Sequence, residues 1–342
     1  SSASSASSSA AAAAASAFSS SASPSRTSIV KPNAVMLNAA ISACEKVGRW
    51  IAALAILKDM QRSGKADGIS FNAAISACEK GQRWKVSLAL LETMASSRLQ
   101  PTRVTFNATI SAMEKGQQWQ AALALLAAAP RSGHERRDTI SYSSTISACE
   151  KAGEWLHALG LLAEMEESGI AANVITFNAA ISACEKGGAW PVALDLLDTL
   201  RKRKLTPDGI TYNAAISACQ KGDEWKATLQ ILLHDLQQDG LRPDVIGYSV
   251  GILACFQGGQ YDLMFDLFDR MWKMNLEPDY QAYGVLLHAC DVMELHDKEQ
   301  MLLKSVGCIA GKDPHDREIL QEAALVVASM ARVIRGEALH PT

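Results

Sequence analysis

The sequence has 342 residues, a net charge of −3 at pH 7 and a pI near 6.2. A near-neutral chain offers no overall electrostatic attraction to nucleic acid, so any such attraction has to be local. Outside an alanine-rich leader, no run approaches the roughly 18 apolar residues of a membrane-spanning helix, and no Cys-x-x-Cys pair suggests a zinc knuckle.

Residues 1–33 form a leader of low complexity, rich in serine and alanine. Its only basic residues are Arg26 and Lys31, and the first acidic residue of the chain is Glu45. A serine-rich segment without acidic residues predicts an organellar transit peptide, and the scarcity of arginine favours a plastid over a mitochondrion. A plain disordered tail is the alternative, because composition alone does not separate the two.

From residue 34 to residue 314 one phrase recurs, with "FNAAISACEKGGAW" (177–190) as its clearest copy. Its asparagine slot recurs every 34 to 36 residues. Such a period predicts an all-α solenoid, a right-handed superhelix of stacked helix-turn-helix repeats. The predicted units are 34–67, 68–102, 103–138, 139–173, 174–208, 209–244, 245–279 and a degenerate 280–314.

Each unit is predicted to contain two helices, as residues 174–208 illustrate. The first segment ends at Gly187-Gly188, and glycine just past a periodic segment is a helix stop signal. The second has a broad apolar stripe and ends before Pro207, which cannot continue a helix. The tryptophan that begins this second helix, such as Trp190, is expected in the core.

Seven of the eight cysteines fall in one slot of the repeat. In the third unit Met113 fills that slot, and methionine would not replace half of a disulfide. We therefore expect reduced, buried, structural cysteines and an intracellular or organellar compartment. Cys308 lies outside the pattern.

At about 100° per residue, the first helix has two distinct faces. Phe177, Ala180 and Cys184 share one side and suit packing against neighbouring helices. The other side combines an apolar β-branched residue, an amide or hydroxyl and, in six units, a lysine. The apolar column is Val35, Ile69, Val104, Ile140, Ile175, Ile210 and Ile246. The lysine column is Lys46, Lys80, Lys115, Lys151, Lys186 and Lys221.

The unit "VITFNAAISACEKGGAWPVALDLLDTLRKRKLTPD" resembles the pentatricopeptide repeat, and the likeness extends over about 34–314. The resemblance implies sequence-specific binding of single-stranded RNA, one base per repeat, in organellar RNA processing, stability, splicing or translation. It further implies that the apolar column clamps the bases, that the lysines contact phosphate, and that two columns select the base. The base-selecting residues are then Asn38, Asp67, Asn72, Thr102, Asn107, Asp138, Ser143, Asn173, Asn178, Asp208, Asn213, Asp244, Ser249 and Asp279.

By the family's pairings, four Asn/Asp units imply U, Ser143/Asn173 implies A, Ser249/Asp279 implies G, and Asn72/Thr102 implies a pyrimidine. The implied RNA site is near 5′-UYUAUUG-3′, and other RNA-processing proteins are further expected partners. The eighth unit departs from the pattern, with Gly284 in the asparagine slot, and is expected to cap the stack. A further capping helix and tail are predicted over 315–342.

Other interpretations stay open for these columns. The asparagines suit helix capping or a hydrogen bond between repeats, and the lysines suit the negative ends of their helices. For the third unit, Arg131, Arg136 and Arg137 suit either phosphate contact or a solvated loop. The whole chain could instead be a protein-binding scaffold of the tetratricopeptide-like solenoid kind, or a degenerate repeat protein that binds nothing tightly. No motif predicts an enzyme, a metal site or a cofactor.

Overall fold

The computed structural model describes residues 32–129 and 137–302. The predicted leader, Arg131, Arg136 and the predicted C-terminal helix and tail lie outside these ranges. The described chain is built from helix pairs, each made of a first and a second helix. The helices are α1 (Ala34–Lys46), α2 (Trp50–Arg62), α3 (Gly68–Lys80), α4 (Trp84–Ser96), α5 (Arg103–Lys115), α6 (Trp119–Ala128), α7 (Thr139–Ala152), α8 (Trp155–Glu167), α9 (Val174–Lys186), α10 (Trp190–Lys202), α11 (Gly209–Lys221), α12 (Trp225–Gln230), α13 (Leu236–Gln238), α14 (Val245–Gln257), α15 (Tyr261–Lys273) and α16 (Tyr280–Val292). Residues 296–302 are also helical.

Within the described ranges there is no β-strand. No helix found there is long and apolar enough to cross a membrane. The chain divides into two compact units, Ser1–Ala148 and Cys149–Thr342, and the packing below is described within each of them.

The ends of the first helices follow from local sequence. Asp67, Asn173, Asp208, Asp244 and Asp279 each precede a first helix and accept a hydrogen bond from a backbone N–H in its first turn. Such caps satisfy donors that have no partner inside the helix. Five first helices end at a glycine, as the sequence predicts; these are Gly81, Gly116, Gly187, Gly222 and Gly258.

Two units have 36 residues, one more than the usual 35, and they accommodate the extra residue differently. In the unit 103–138, α6 stops at Ala128, and its ten residues compare with thirteen in most second helices. In the unit 209–244, the second helix continues from α12 into α13 through a π-helical turn at Ile231–Asp235. A π turn absorbs one residue without ending a helix, so the next first helix keeps its place.

Successive helix pairs pack through a tryptophan and a glycine. A Cβ atom on Gly222 would lie 2.1 Å from Cδ1 of Trp190, and one on Gly81 would lie 2.4 Å from Cδ1 of Trp50. Gly116, Gly187 and Gly258 face Trp84, Trp155 and Trp225 in the same way. These tryptophans are half-buried at the junction between helix pairs, rather than enclosed in the core as the sequence suggested.

The core itself consists of the predicted packing face. Phe177, Ala180 and Cys184 are fully buried, as are Phe71 and Ile75 in the first compact unit. Cys78, Cys149, Cys219, Cys255 and Cys290 are buried as well, and all of the described cysteines are free thiols. Burial raises the pKa of Cys78, Cys149, Cys184, Cys219 and Cys255 to about 11, which keeps these thiols neutral at pH 7.

Candidate nucleic-acid interface

The asparagine column and the column of last residues meet directly. The Asn178 amide nitrogen lies 3.0 Å and 3.2 Å from the two carboxylate oxygens of Asp208. Asn38 contacts Asp67 at 3.2 Å and 3.1 Å in the same way. A carboxylate only accepts hydrogen bonds, so the atom facing it is the donor Nδ2 of the asparagine. Each of these pairs therefore joins two side chains that the sequence places about 30 residues apart.

Two more Asn/Asp pairs repeat this geometry, and one pair departs from it. Nδ2 of Asn107 lies 3.1 Å from Asp138, and that of Asn213 lies 2.9 Å from Asp244. Asn72 instead contacts the Thr102 hydroxyl at 3.3 Å. Of the interpretations open for the asparagines, the structure supports the hydrogen bond between repeats, while helix capping falls to the last residues of the units.

The serine units differ. Ser143 donates to the backbone carbonyl of Thr139 at 2.6 Å, within its own helix, while Asn173 caps α9. The Ser249 hydroxyl is buried without a hydrogen-bond partner, and Asp279 caps α16. Ser249 and Asp279 are therefore not joined as the Asn/Asp pairs are, and the expected base at this unit has less structural support than the four U positions.

In five units a third side chain joins the asparagine or serine and the capping residue, and we call each such group a cluster. This third side chain was not singled out from the sequence. Three residues after the cap, a buried serine or threonine completes the group; these residues are Ser70, Thr105, Ser141, Thr176 and Thr211. The pattern of a capping residue followed three positions later by a side chain that returns the hydrogen bond is a recognised helix-start signal. It was readable in the sequence as an Asp, Asn or Thr followed three positions later by Ser or Thr.

The capping contacts set the ionisation of the aspartates. Burial alone would raise the pKa of Asp208. It is outweighed by hydrogen bonds from the backbone N–H of Thr211 and from the Asn178 amide, which lower that pKa below its ordinary value. The pKa of Asp67 is lowered in the same way, against burial, by Ser70 and Asn38. Both clusters thus hold a carboxylate that accepts hydrogen bonds at neutral pH.

The apolar column stands beside these clusters and faces solvent. Val35, Ile69, Val104, Ile140, Ile175, Ile210 and Ile246 are 55 to 74 % exposed. Each lies in the first turn of a first helix, three residues before the asparagine or serine. Packing within the fold does not explain why a branched apolar side chain recurs at this exposed position in seven helices. Each position of the column therefore presents an exposed apolar side chain on the same helix face as the asparagine or serine three residues later.

The lysine column is held by ion pairs with the preceding unit. Nζ of Lys186 lies 2.6 Å from Glu150, and that of Lys221 lies 2.8 Å from Glu185. Lys115 pairs with Glu79 at 2.8 Å and Lys80 with Glu45 at 3.3 Å. Lys46 and Lys151 occupy the same position near the ends of α1 and α7. These pairs were not predicted from the sequence, although the Glu-Lys dipeptide recurs at a fixed period and was a visible signal.

We call this series of contacts between successive first helices the ladder. At its next step, both the glutamate and the lysine are replaced. Gln220 stands in the glutamate slot and Gln257 in the lysine slot, and their side-chain amides bond at 2.8 Å. A joint exchange of an ion pair for an amide pair keeps the contact while removing both charges. The ladder therefore joins first helices whether or not it is charged.

Of the three arginines suggested for the third unit, only Arg137 lies within the described ranges. Arg137 is 5 % exposed, and its guanidinium donates to the backbone carbonyl of Ala127 at 2.9 Å. Arg137 is therefore neither placed for a phosphate contact nor part of a solvated loop, since it is buried and hydrogen-bonded to the end of α6. Within the described ranges no group of three or more His, Cys, Asp or Glu side chains is placed to hold a metal ion.

Comparison with solved structures identifies the fold. The pentatricopeptide repeat protein PPR10 from maize matches with a TM-score of 0.72 at 17% identity, over 91% of this chain and 43% of that one. PPR10 in complex with an 18-nt psaJ RNA element matches with a TM-score of 0.69 at 19% identity, over 81% and 41%. The chain thus spans less than half the length of PPR10. The likeness confirms the predicted all-α class of stacked helical repeats.

Sequence profiles agree with the fold. The profile of the pentatricopeptide repeat domain matches residues 55–115, 136–187, 160–222 and 231–292. That of the PPR repeat matches residues 35–64. No curated protein sequence matches significantly. Since these profiles match more than half of the chain, the chain belongs to the pentatricopeptide repeat family.

Proposed function

We propose that this protein binds single-stranded RNA in a sequence-specific manner, one base per repeat. The observation that supports this most strongly is the repeated juxtaposition of an Asn–Asp hydrogen-bonded pair with an exposed branched apolar side chain, as in Asn178, Asp208 and Ile175. An unstacked base needs both an edge partner and an apolar contact for its face. The four Asn/Asp units offer both.

The base-selecting roles follow from the chemistry of the pairs. In an Asn/Asp unit, one amide hydrogen of the asparagine is used by the carboxylate, and the second is free to donate to a base. A carbonyl oxygen of uracil accepts such a bond. The proposed site is near 5′-UYUAUUG-3′, with the four U positions at Asn38/Asp67, Asn107/Asp138, Asn178/Asp208 and Asn213/Asp244.

The complex of PPR10 with an 18-nt psaJ RNA element gives a related precedent, because its protein shares this fold. From the family and the leader composition, we propose an organellar role in RNA processing, stability, splicing or translation, in a plastid rather than a mitochondrion. Microscopy of the full chain with a carboxy-terminal fluorescent tag tests the compartment. Signal outside both organelles would contradict it.

The binding experiment is selection of RNA from a random single-stranded pool by the full chain. A U-rich heptamer is the expected product. The double variant Asn178→Ser with Asp208→Asn converts the fifth unit to the Ser/Asn pair of the fourth, so its fifth selected base should change from U to A. Asp195→Asn, on the exposed side of α10, is the matched control and should select the wild-type sequence.

Two results would contradict the proposal. If a folded, helical protein enriched no RNA, the protein-scaffold interpretation would replace RNA recognition. If RNA were enriched and the double variant selected the same sequence as the wild type, the assignment of base selection to Asn178 and Asp208 would be wrong.

A further inference from the structure

The third side chain of each cluster makes different hydrogen bonds in different units. In the fifth unit, the Thr211 hydroxyl lies 2.5 Å from Oδ1 of Asn178 and 2.9 Å from Oδ1 of Asp208, and we assign its single proton to the shorter contact. Nδ2 of the same asparagine faces the Asp208 carboxylate. Both polar atoms of the Asn178 amide therefore have partners. Thr211 is completely buried, so its hydroxyl acts on the amide and is out of reach of an RNA base.

In the first and third units serine replaces threonine, and the bond is lost. The Ser70 hydroxyl donates to the backbone carbonyl of Asp67 at 2.7 Å, and that of Ser141 to the carbonyl of Asp138 at 2.8 Å. Oδ1 of Asn38 and Oδ1 of Asn107 are buried without a hydrogen-bond partner. The extra methyl group of threonine restricts its χ1 angle, which accounts for the different direction of the two hydroxyls.

The sixth unit is a third case. Gly247 stands three residues after the cap Asp244, so no hydroxyl is present beside Asn213. Four Asn/Asp units thus share the same two base-facing residues and differ in a buried position behind them. One unit has a donor to the asparagine Oδ1, and three do not.

We propose that this buried position, three residues into the next first helix, is a specificity-determining position that fixes the asparagine amide and so sets how strictly a unit prefers U over C. The inference rests on the proposed RNA-binding function. Uracil offers a carbonyl oxygen where cytosine offers an amino group, so accepting C requires the asparagine to turn Oδ1 toward the base. That rotation breaks the Nδ2 bond to the aspartate in every unit. It also breaks a second bond where Thr211 donates.

The test compares dissociation constants for 5′-UCUAUUG-3′ and for four RNAs in which one U at a time is changed to C. For the wild-type full chain, the ratio of the C and U constants should be largest at the fifth base. Loss of one neutral hydrogen bond corresponds to about a twofold to tenfold change in that ratio. A position that only stabilised the fold would shift the affinity for all five RNAs together and leave the ratios unchanged.

Two reciprocal variants test whether the exchange of threonine and serine causes the difference in the C-to-U ratio. Thr211→Ser keeps a hydroxyl in the capping position, as Ser70 and Ser141 do, and should lower the ratio at the fifth base while leaving the third unchanged. Ser141→Thr should raise the ratio at the third base and leave the fifth unchanged. Thermal unfolding of each variant verifies that it folds.

The outcomes distinguish this inference from the function on which it rests. If the wild-type protein bound none of the RNAs, the proposed function would fail and the inference with it. If the protein bound the U-containing site but the two exchanges left the C-to-U ratios unchanged, RNA recognition would stand and the role of the third position would be refuted.

Discussion

At the scale of single residues, glycine at the end of the first helix is required for space rather than for backbone conformation. Gly222 has φ of −86°, which any residue adopts, yet its Cβ position is occupied by the indole of Trp190. The sequence correctly predicted a helix stop at this glycine. It did not reveal the contact, because the tryptophan belongs to the preceding unit and only stacking brings the two together.

Gly222→Ala should therefore destabilise the protein. Forcing a methyl group against a packed aromatic ring costs about 1–3 kcal/mol, which should appear as a lower melting temperature by circular dichroism. Gly209→Ala is the matched control, since a Cβ there meets no atom within 4 Å and alanine favours the helix. Equal melting temperatures for the two variants would show that the indole moves aside without cost.

The buried cysteines predict a specific loss of stability at alkaline pH. Their pKa is near 9 when exposed and about 11 in the fold, because burial disfavours the thiolate. The folded state therefore retains protons that the unfolded state releases, so stability is full below pH 9 and falls as the pH rises toward 11. Cys184→Ala with Cys219→Ala should weaken this fall, as measured by urea unfolding between pH 9 and 11. An unchanged slope would rule out the thiols as its source.

At the scale of elements, the helix pairs were predictable because each boundary has local punctuation. Aspartate or asparagine precedes a first helix, glycine follows it, and the Pro-Asp segment ends a unit such as 174–208. The π turn at Ile231–Asp235 was not predictable, since an extra residue is as compatible with a longer loop as with a wider helical turn. In the other 36-residue unit, 103–138, the second helix α6 is shorter instead.

The candidate site was predicted in part, because only some of its features are local in the sequence. The columns and their spacing are sequence properties, and the asparagine and aspartate columns do come together. Which other side chains join them depends on side-chain direction. The hydroxyl of Thr211 and the pairing of Lys186 with Glu150 both arise between adjacent helices, where sequence order gives no direct information.

The ion pairs between first helices lead to a prediction about salt. An exposed pair contributes only about 0–1 kcal/mol, so a phosphate can compete for its lysine. Glu150→Gln removes the partner of Lys186 and should make RNA binding tighter at low salt. The slope of log affinity against log salt should steepen by up to about 0.7, the value for one added phosphate contact with a single strand.

The matched control for this experiment is Glu167→Gln, which also removes one negative charge but lies at the end of α8, outside the ladder. It should leave the salt dependence close to that of the wild type. If both glutamate variants changed the slope equally, net charge would be responsible, and the phosphate role proposed for Lys186 would lose its support.

At the scale of the whole molecule, the repeat is the unit of recognition in our proposal, so removing one unit should remove one base. Deletion of residues 174–208 places Asn173 directly before Gly209, which preserves a capping residue ahead of a first helix. RNA selection with this variant should give a hexamer that lacks the fifth U. A site of unchanged length and sequence would contradict recognition of one base per repeat.

The tryptophan–glycine contact has a consequence for how such a chain changes over generations. Because one unit offers an indole to its successor and a bare backbone to its predecessor, its two ends fit the ends of its neighbours. Misaligned recombination between near-identical repeats would then add or remove whole units while keeping the joints intact. A gene built this way can lengthen or shorten its product by whole repeats in single steps.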